Sequence, residues 1–124
     1  MTGQPPQPET ILVVEDQDVV RHLIVRALLQ EGYHVLEASD GAKALAVLAG
    51  GVRVHMVVTD IVMPNLGGVQ LAERLTLQGR APVLLFMTGY GEDRSKVPGP
   101  LLEKPFGPET LVSEVARLLS RARP

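Results

Sequence analysis

The stretch 55-HMVVTDIVMPNLGG-68 carries an apolar run directly into an acidic residue and then into a segment that breaks regular structure. A short continuous apolar run is typical of a strand that is buried on both faces of a parallel sheet. Asp60 ends this run, and a proline and two glycines follow it closely. A carboxylate in this position is either a turn former, a helix cap or a group that carries chemistry, and the segments on either side of it decide between these interpretations.

Segments typical of strands alternate with helical segments from Thr10 onward. The strand segments are TILVV (10–14), YHVLEA (33–38), VHMVVT (54–59), APVLLFMT (81–88) and PLLE (100–103). The second helix is predicted to be capped by Ser39 or Asp40, and the last helix to begin at Pro108. Its buried face is predicted to consist of Leu111, Val115, Leu118 and Leu119. Segment 89–100 contains three glycines, two prolines and no helical stripe, so we expect the helix there to be short or missing.

This alternation predicts an α/β fold with a doubly wound (flavodoxin-like) sheet. Strands that alternate with helices form βαβ units, and such units give a parallel sheet covered by helices on both sides. Right-handed crossovers leave few topologies for five strands. The order 2-1-3-4-5 is the natural one at this chain length.

Composition and charge exclude several classes of protein and partner. The chain has 124 residues, enough for one domain, with 12 basic and 14 acidic residues and a formal net charge of -2, so we expect no nucleic-acid partner. The absence of cysteine excludes disulfides and thiolate metal sites. No apolar run is long enough to span a bilayer, which predicts a cytoplasmic protein without a membrane partner. Residues 1–9 are polar and proline-rich and are predicted to be a disordered lead-in to a domain at 10–123.

Charged and polar residues follow four of the five strands. Glu15 and Asp16 follow the first strand, Asp60 the third, Thr88 ends the fourth, and Lys104 follows the fifth. Doubly wound sheets bind ligands beyond the carboxyl ends of their strands, at the point where the strand order reverses. Three crowded carboxylates resist ionisation unless cations are near; Lys104 supplies one positive charge, and a hard divalent ion such as Mg²⁺ would supply the rest. Each residue alone has an ordinary structural explanation, such as a helix cap for Glu15 and Asp16, but their coincidence at one edge favours a joint function.

Over residues 10–123 the chain resembles the receiver domain of two-component response regulators. The resemblance rests on VVED ending at Asp16, TDIVMP around Asp60, TG at Thr88 and KPF starting at Lys104, in this order and each next to a strand. It implies a bacterial phosphorelay protein in which Asp60 accepts a phosphoryl group from a phosphohistidine. The donor would be a sensor histidine kinase or a histidine phosphotransfer protein. The domain would then signal to a downstream protein by changing conformation, and it would be a phosphoacceptor rather than an enzyme.

The same resemblance implies a magnesium site and a phosphoryl site. The groups that would hold Mg²⁺ are Glu15 (mainly through water), Asp16, Asp60 and the main-chain carbonyl of Val62. Lys104 would pair with Asp60 at rest and with the phosphoryl oxygens afterwards, and Thr88 would hydrogen-bond the acyl phosphate. The Lys104–Pro105 bond resembles the cis peptide bond of the family.

The chain departs from the family pattern at the residues that would switch conformation. Leu101 stands three residues before Lys104, where the family usually has a Tyr or Phe that swings inward on phosphorylation. The TGY sequence ending at Tyr90 and the reduced helix after it resemble a subgroup of receivers that occur as single-domain regulators or attached to sensor kinases. We therefore expect phosphorylation to order segment 89–100, which carries Tyr90, and to leave Leu101 largely in place. No DNA-binding segment is expected after Arg123.

Two other functions are compatible with parts of this pattern. A pseudo-receiver is an interaction module that keeps the fold without phosphorylation, but such modules usually lose one of the acids or the lysine. An aspartate-nucleophile phosphatase also ends a strand with a reactive aspartate. That chemistry usually needs a second acid two residues later, where this chain has Val62.

Overall fold

Five strands and four helices alternate along the residues that the computed structural model describes, which are 8–80, 82–89 and 91–123. The strands are β1 (Thr10–Val14), β2 (His34–Ala38), β3 (Met56–Asp60), β4 (Val83–Thr88) and β5 (Leu101–Glu103). The helices are α1 (Asp18–Gln30), α2 (Gly41–Ala49), α3 (Gly68–Leu77) and α4 (Pro108–Ala122). None of these helices is long and apolar enough to cross a bilayer.

The strands form one parallel sheet in the order β2-β1-β3-β4-β5, which confirms the predicted doubly wound fold. The register brings the carboxyl ends of the strands to one edge. Asp60 pairs with Met87, one residue before Thr88, and Thr88 pairs with Glu103, one residue before Lys104. The strand order reverses between β1 and β3, so the residues that follow these two strands lie at the switch point.

The core lies on both faces of the sheet. Strands β1 and β3 are buried along their whole length, which explains their continuous apolar sequences. Their alternate side chains pack on opposite faces, Ile11, Val13, Met56 and Val58 with α1 and α4, and Leu12, Val14 and Val57 with α2 and α3. The predicted face of α4 is buried, as confirmed for Leu111, Val115, Leu118 and Leu119. Each such side chain contributes about 1.5–3 kcal/mol by burial, so these layers, rather than the polar edge, hold the fold together.

Helix α2 begins at a buried carboxylate, that of Asp40. Asp40 is its N-cap, and the carboxylate Oδ1 accepts a hydrogen bond of 2.8 Å from the amide of Lys43. The other oxygen, Oδ2, accepts one of 2.8 Å from the side-chain amide of Asn65 in the loop before α3. Of the two residues predicted as caps, Asp40 therefore fills the role, and it also ties the start of α2 to the loop after β3.

The segment between β4 and β5 contains turns and no helix in its described part, residues 89 and 91–100, which confirms the prediction of a missing helix. The segment is nevertheless packed. The amide of Phe86 donates to the carbonyl of Pro100 at 2.9 Å, and Val97 contacts the buried cluster of Ile61, Ala72 and Phe86. These contacts show that β4 and its neighbours hold the second half of the segment.

The two ends of the described chain meet at the amino ends of the strands. Glu9 belongs to the predicted lead-in, whose residues 1–7 lie outside the described residues. Its carbonyl accepts a hydrogen bond of 3.0 Å from the amide of His34, and its carboxylate forms a salt bridge with Arg123 just after α4. Glu9 is thus already part of the folded domain.

Candidate functional site

Three carboxylates converge at the switch point of the sheet. Glu15 and Asp16 directly follow β1, and Asp60 ends β3. One oxygen of each lies within 4.8 Å of the other two. Glu15 is 0% exposed and Asp60 is 4% exposed, whereas Asp16 faces solvent. Because buried like charges repel strongly, this arrangement requires positive charge close by.

Lys104 supplies one positive charge to this cluster. Its Nζ atom donates to Glu15 Oε1 at 2.6 Å and to Asp60 Oδ2 at 3.0 Å. Partial burial by itself would lower the pKa of Lys104, but the hydrogen bonds to the two carboxylates outweigh it, and the pKa is raised. The Lys104–Pro105 bond is cis, as the family resemblance implied, and the Lys104 amide donates to the Thr88 carbonyl at 2.8 Å. Lys104 therefore stays charged while it bridges the ends of β1 and β3.

Asp60 is only partly satisfied by its surroundings. Burial is the largest cause that raises its pKa; the hydrogen bond from Lys104 opposes this rise, the charges of Glu15 and Glu92 add to it, and the resulting pKa is about 6. Its Oδ1 atom is buried and has no hydrogen-bond partner among the described residues. A buried carboxylate oxygen without a donor, next to two further acids, is suited to a cation or to a reacting group.

Glu15, by contrast, is fixed at both carboxylate oxygens. Oε1 accepts from Lys104, and Oε2 accepts from the amide of Gln17 at 3.1 Å. Arg21 of α1 donates to the Glu15 carbonyl at 2.9 Å, and it forms salt bridges with Asp18 and Glu37 on either side. The turn after β1 is therefore rigidly held. The alternative explanation of Glu15 and Asp16 as a helix cap is wrong, because Gln17 is the N-cap of α1.

The main chain of Asp60 is packed tightly against the start of α3. A Cβ atom added to Gly68 would lie 2.3 Å from the carbonyl oxygen of Asp60, so only glycine permits this approach. The Thr59 hydroxyl donates to the same carbonyl oxygen at 2.9 Å. The two contacts restrict the backbone of Asp60, which supports a fixed orientation of its carboxylate.

Thr88 and Gly89, at the end of β4, carry an unexpected partner. The Thr88 hydroxyl lies 3.1 Å from Glu92 Oε1, and the Gly89 amide donates to the same oxygen at 2.8 Å. The hydroxyl also lies 3.3 Å from the Gly89 carbonyl oxygen, which is a longer alternative acceptor. Glu92 is not among the residues predicted from the sequence. The available signal was an acid four residues after Thr88 with Gly91 between them, and Gly91 has a left-handed φ of +80° that turns the chain back.

The remaining predicted residues lie around this cluster. Val62 is in the loop between β3 and α3, two residues beyond Asp60, and it is exposed to solvent. Leu101 begins β5, pairs with Phe86 and packs half-buried beside it. Tyr90 lies outside the described residues, so its predicted switching role stays a prediction.

Comparison with known protein families matches residues 11–116 to the response regulator receiver domain. Among curated proteins, the chain is similar to the sensor kinase CckA of Brucella abortus (strain 2308), with 37% identity over 119 residues that cover 90% of this chain and 13% of that protein. It is 35% identical over 121 residues to the aerobic respiration control protein ArcA of Escherichia coli (strain K12), and the match covers 93% of this chain and 50% of ArcA.

The solved structures give the same picture for the fold. The chemotaxis protein CheY4 of Vibrio cholerae matches with a TM-score of 0.80 and 26% identity, over 90% of this chain and 99% of that chain. The chain thus spans half the length of ArcA and a small part of CckA, whereas it corresponds to nearly all of the CheY4 chain.

Proposed function

The chain belongs to the family of response regulator receiver domains, and from this premise we propose that Asp60 accepts a phosphoryl group from a phosphohistidine. The donor is a histidine kinase or a histidine phosphotransfer protein of a bacterial two-component system. The observation that carries the proposal is the state of Asp60, which is a buried carboxylate with one oxygen bound to Lys104 and the other without a partner among the described residues.

The proposed step exchanges one bond to phosphorus for another. A carboxylate oxygen of Asp60 attacks the phosphorus atom, the new O–P bond forms, and the N–P bond of the phosphohistidine breaks. The electron pair of the broken bond stays on the imidazole nitrogen, which takes up a proton. Phosphoryl transfer depends mainly on positioning and on neutralising the transferred oxygens. Lys104 is within reach for this second task because it already donates to Asp60 at 3.0 Å.

The hydrogen-bond donors for the product come from the end of β4. The Thr88 hydroxyl and the Gly89 amide would bind the phosphoryl oxygens of the acyl phosphate. Both groups are attached to the end of a buried strand, so their positions are fixed before the reaction. Donors that are fixed in advance stabilise developing charge at little cost in reorganisation.

The residues at the switch point fit a magnesium ion. Carboxylate and carbonyl oxygens are the ligands that Mg²⁺ prefers, and Asp60 Oδ1 is a buried oxygen without a donor among the described residues. Asp16, Asp60 and the main-chain carbonyl of Val62 would hold the ion, with Glu15 contributing mainly through water. When bound, Mg²⁺ supplies positive charge to the transferred phosphoryl oxygens. Lys104 alone cannot offset the three acids, so the charge balance also favours a divalent cation.

In this proposal the domain is a phosphoacceptor that signals to a downstream protein, rather than an enzyme with its own substrate. We place its action in the cytoplasm as part of the same proposal. No observation favours the two alternatives. The position of a second phosphatase acid is occupied by Val62, and the acids and the lysine that a pseudo-receiver would lose are present.

Incubation with a phosphorylated histidine kinase or with acetyl phosphate, in the presence of Mg²⁺, tests the proposal. We expect one phosphoryl group per chain, stable in acid and labile in base, as measured by intact mass and by radiolabel. Asp60→Asn should take up none, because an amide is a poor nucleophile. Full labelling of Asp60→Asn would place the acceptor elsewhere and contradict the proposal.

A further inference from the structure

Glu92 occupies the two donors that the phosphorylated state needs. Its Oε1 atom accepts from the Thr88 hydroxyl at 3.1 Å and from the Gly89 amide at 2.8 Å. A carboxylate oxygen and a phosphoryl oxygen are both anionic acceptors, and they make the same charge-assisted hydrogen bonds. The end of β4 therefore already binds an anion, supplied by the chain itself.

Phosphorylation would bring a second anion to these donors. A phosphoryl group on Asp60 carries about -1.5 to -2 charges and three acceptor oxygens. Glu92 and the phosphoryl group cannot both hold the same two donors.

The rest of the segment shows how far a displacement of Glu92 would extend. Gly91, with its left-handed φ of +80°, lies directly before Glu92 and turns the chain back toward Thr88. Further along, Arg94 forms an exposed salt bridge of 3.0 Å with Glu103, and Val97 packs against Phe86. Val97 belongs to the anchored half of the segment, so the described part that depends on Glu92 is short, residues 91–94.

We propose that Glu92 accepts hydrogen bonds from the phosphoryl-binding donors, Thr88 and Gly89, as long as Asp60 is unphosphorylated. In that state Glu92 holds residues 91–94 against the end of β4, and phosphorylation of Asp60 displaces it. This inference rests on the proposed function of Asp60. It makes Glu92 a regulatory residue with two effects: it slows the entry of a phosphoryl group by competing for Thr88 and Gly89, and it couples phosphorylation to release of residues 91–94. The second effect reverses the expectation from the sequence, which was that phosphorylation orders segment 89–100.

The test compares phosphorylation rates of the full chain with acetyl phosphate and Mg²⁺. A small donor is used because it makes no contact with a kinase surface, so docking does not affect the rate. Glu92→Ala should be phosphorylated about 3- to 10-fold faster than the wild type, since one charge-assisted competitor has been removed. Glu92→Gln should give an intermediate rate because it keeps an acceptor oxygen and loses the charge.

Glu103→Gln is the matched control. It removes an acid from the same region and breaks the salt bridge with Arg94, which is the contact that the Glu103 carboxylate makes, whereas the Glu92 carboxylate binds Thr88 and Gly89. Its rate should equal that of the wild type.

Heteronuclear relaxation supplies a second readout. Backbone motion of residues 91–94 in unphosphorylated Glu92→Ala should match that of the phosphorylated wild type.

The outcomes separate this inference from the function on which it rests. If the wild type takes up a phosphoryl group on Asp60 and both Glu92 variants react at the wild-type rate or more slowly, the role of Glu92 is overturned and the proposed function stands. The role of Glu92 is likewise overturned if Glu103→Gln accelerates the reaction as much as Glu92→Ala. If the wild type takes up no phosphoryl group at all, the proposed function fails and the inference fails with it.

Discussion

Asp40 and Asp60 are equally buried, at 5% and 4% exposure, yet the protein treats the two carboxylates in opposite ways. Asp40 accepts hydrogen bonds at both oxygens, and its pKa is lowered, first by the bond from the Lys43 amide and then by that from Asn65. Among the described residues Asp60 has one donor, Lys104, and its pKa is raised to about 6. Burial raises the pKa of both carboxyls; the two donors outweigh this effect at Asp40, whereas the single donor at Asp60 does not. The carboxylate that serves the fold is satisfied, and the candidate reactive one keeps an oxygen available.

The largest expected effect comes from removing the donor of Asp60. Lys104→Ala should reduce the rate of phosphorylation by acetyl phosphate by about 10²- to 10³-fold, the range seen when a donor to a developing charge is deleted. Asn65→Ala removes a donor of Asp40 and should leave the rate unchanged. Equal losses in the two variants would mean that Lys104 acts only through the fold and would erase the distinction between the two sites.

The next effect concerns stability, and its sign should differ between the two aspartates. Asp40→Ala removes an N-cap and should lower the free energy of unfolding by about 1–2 kcal/mol. Asp60→Asn removes a buried negative charge that is unfavourable in the folded protein, as the raised pKa of Asp60 indicates. It should increase the free energy of unfolding at neutral pH by about 1–3 kcal/mol, at 1.36 kcal/mol for each pKa unit. Urea unfolding in the presence of a chelator measures both. A loss of stability in Asp60→Asn would contradict the comparison.

The pH dependence of these differences should separate the two carboxylates further. The folded protein binds a proton on Asp60 more tightly than the unfolded chain does. The pKa of this carboxyl is about 6 in the folded protein, whereas its ordinary value is 3.8. Stability is therefore lost as the pH rises from about 4 to about 6, and this loss is absent in Asp60→Asn. The two proteins should have similar stability near pH 4 and diverge up to pH 6.

For Asp40 the sign is reversed, because its pKa is lowered in the folded protein. Its contribution is fully present above the unfolded pKa and is lost as the pH falls through the folded one. The difference between the wild type and Asp40→Asn should thus stay constant from about pH 5 to pH 8 and shrink only in stronger acid. Urea midpoints across this range, in chelator, measure both curves. A difference that is constant for Asp60→Asn as well would show that Asp60 is an ordinary carboxylate.

The smallest expected effect concerns Mg²⁺. Asp16→Asn replaces a carboxylate ligand by a neutral amide and should weaken Mg²⁺ binding by about tenfold or more, which corresponds to about 1.4 kcal/mol. Asp40→Asn should not change it, since the oxygens of Asp40 are already used within the fold. Amide chemical shifts near Asp60 during a Mg²⁺ titration provide the measurement. An identical titration in the wild type and Asp16→Asn would show that Asp16 is not a ligand of Mg²⁺.

Most of the fold and the polar edge could be predicted because both follow from strand patterns. Buried strands have continuous apolar sequences, and a parallel sheet brings the residues after them to one edge, so Asp16, Asp60 and Lys104 could be placed together. The choice between Ser39 and Asp40 could not be made, since both are good N-caps. Glu92 was missed for a related reason: its partners are set by the turn at Gly91, and loop composition does not specify which side chain folds back. The composition of segment 89–100 predicted the missing helix, but it did not show that Val97 and Pro100 hold the second half of the segment.

The salt bridge between Glu9 and Arg123 has a consequence for the connectivity of the domain. It joins the two ends of the described chain at the amino ends of the strands, at the edge of the sheet opposite Asp60. A short linker could therefore close the chain into a ring without crossing the sheet. A new break in the exposed turn at Gly51 would then give a circular permutant with a different order of elements. Every strand would keep its neighbours in that permutant, and the edge that carries Asp60 would be assembled from the same loops.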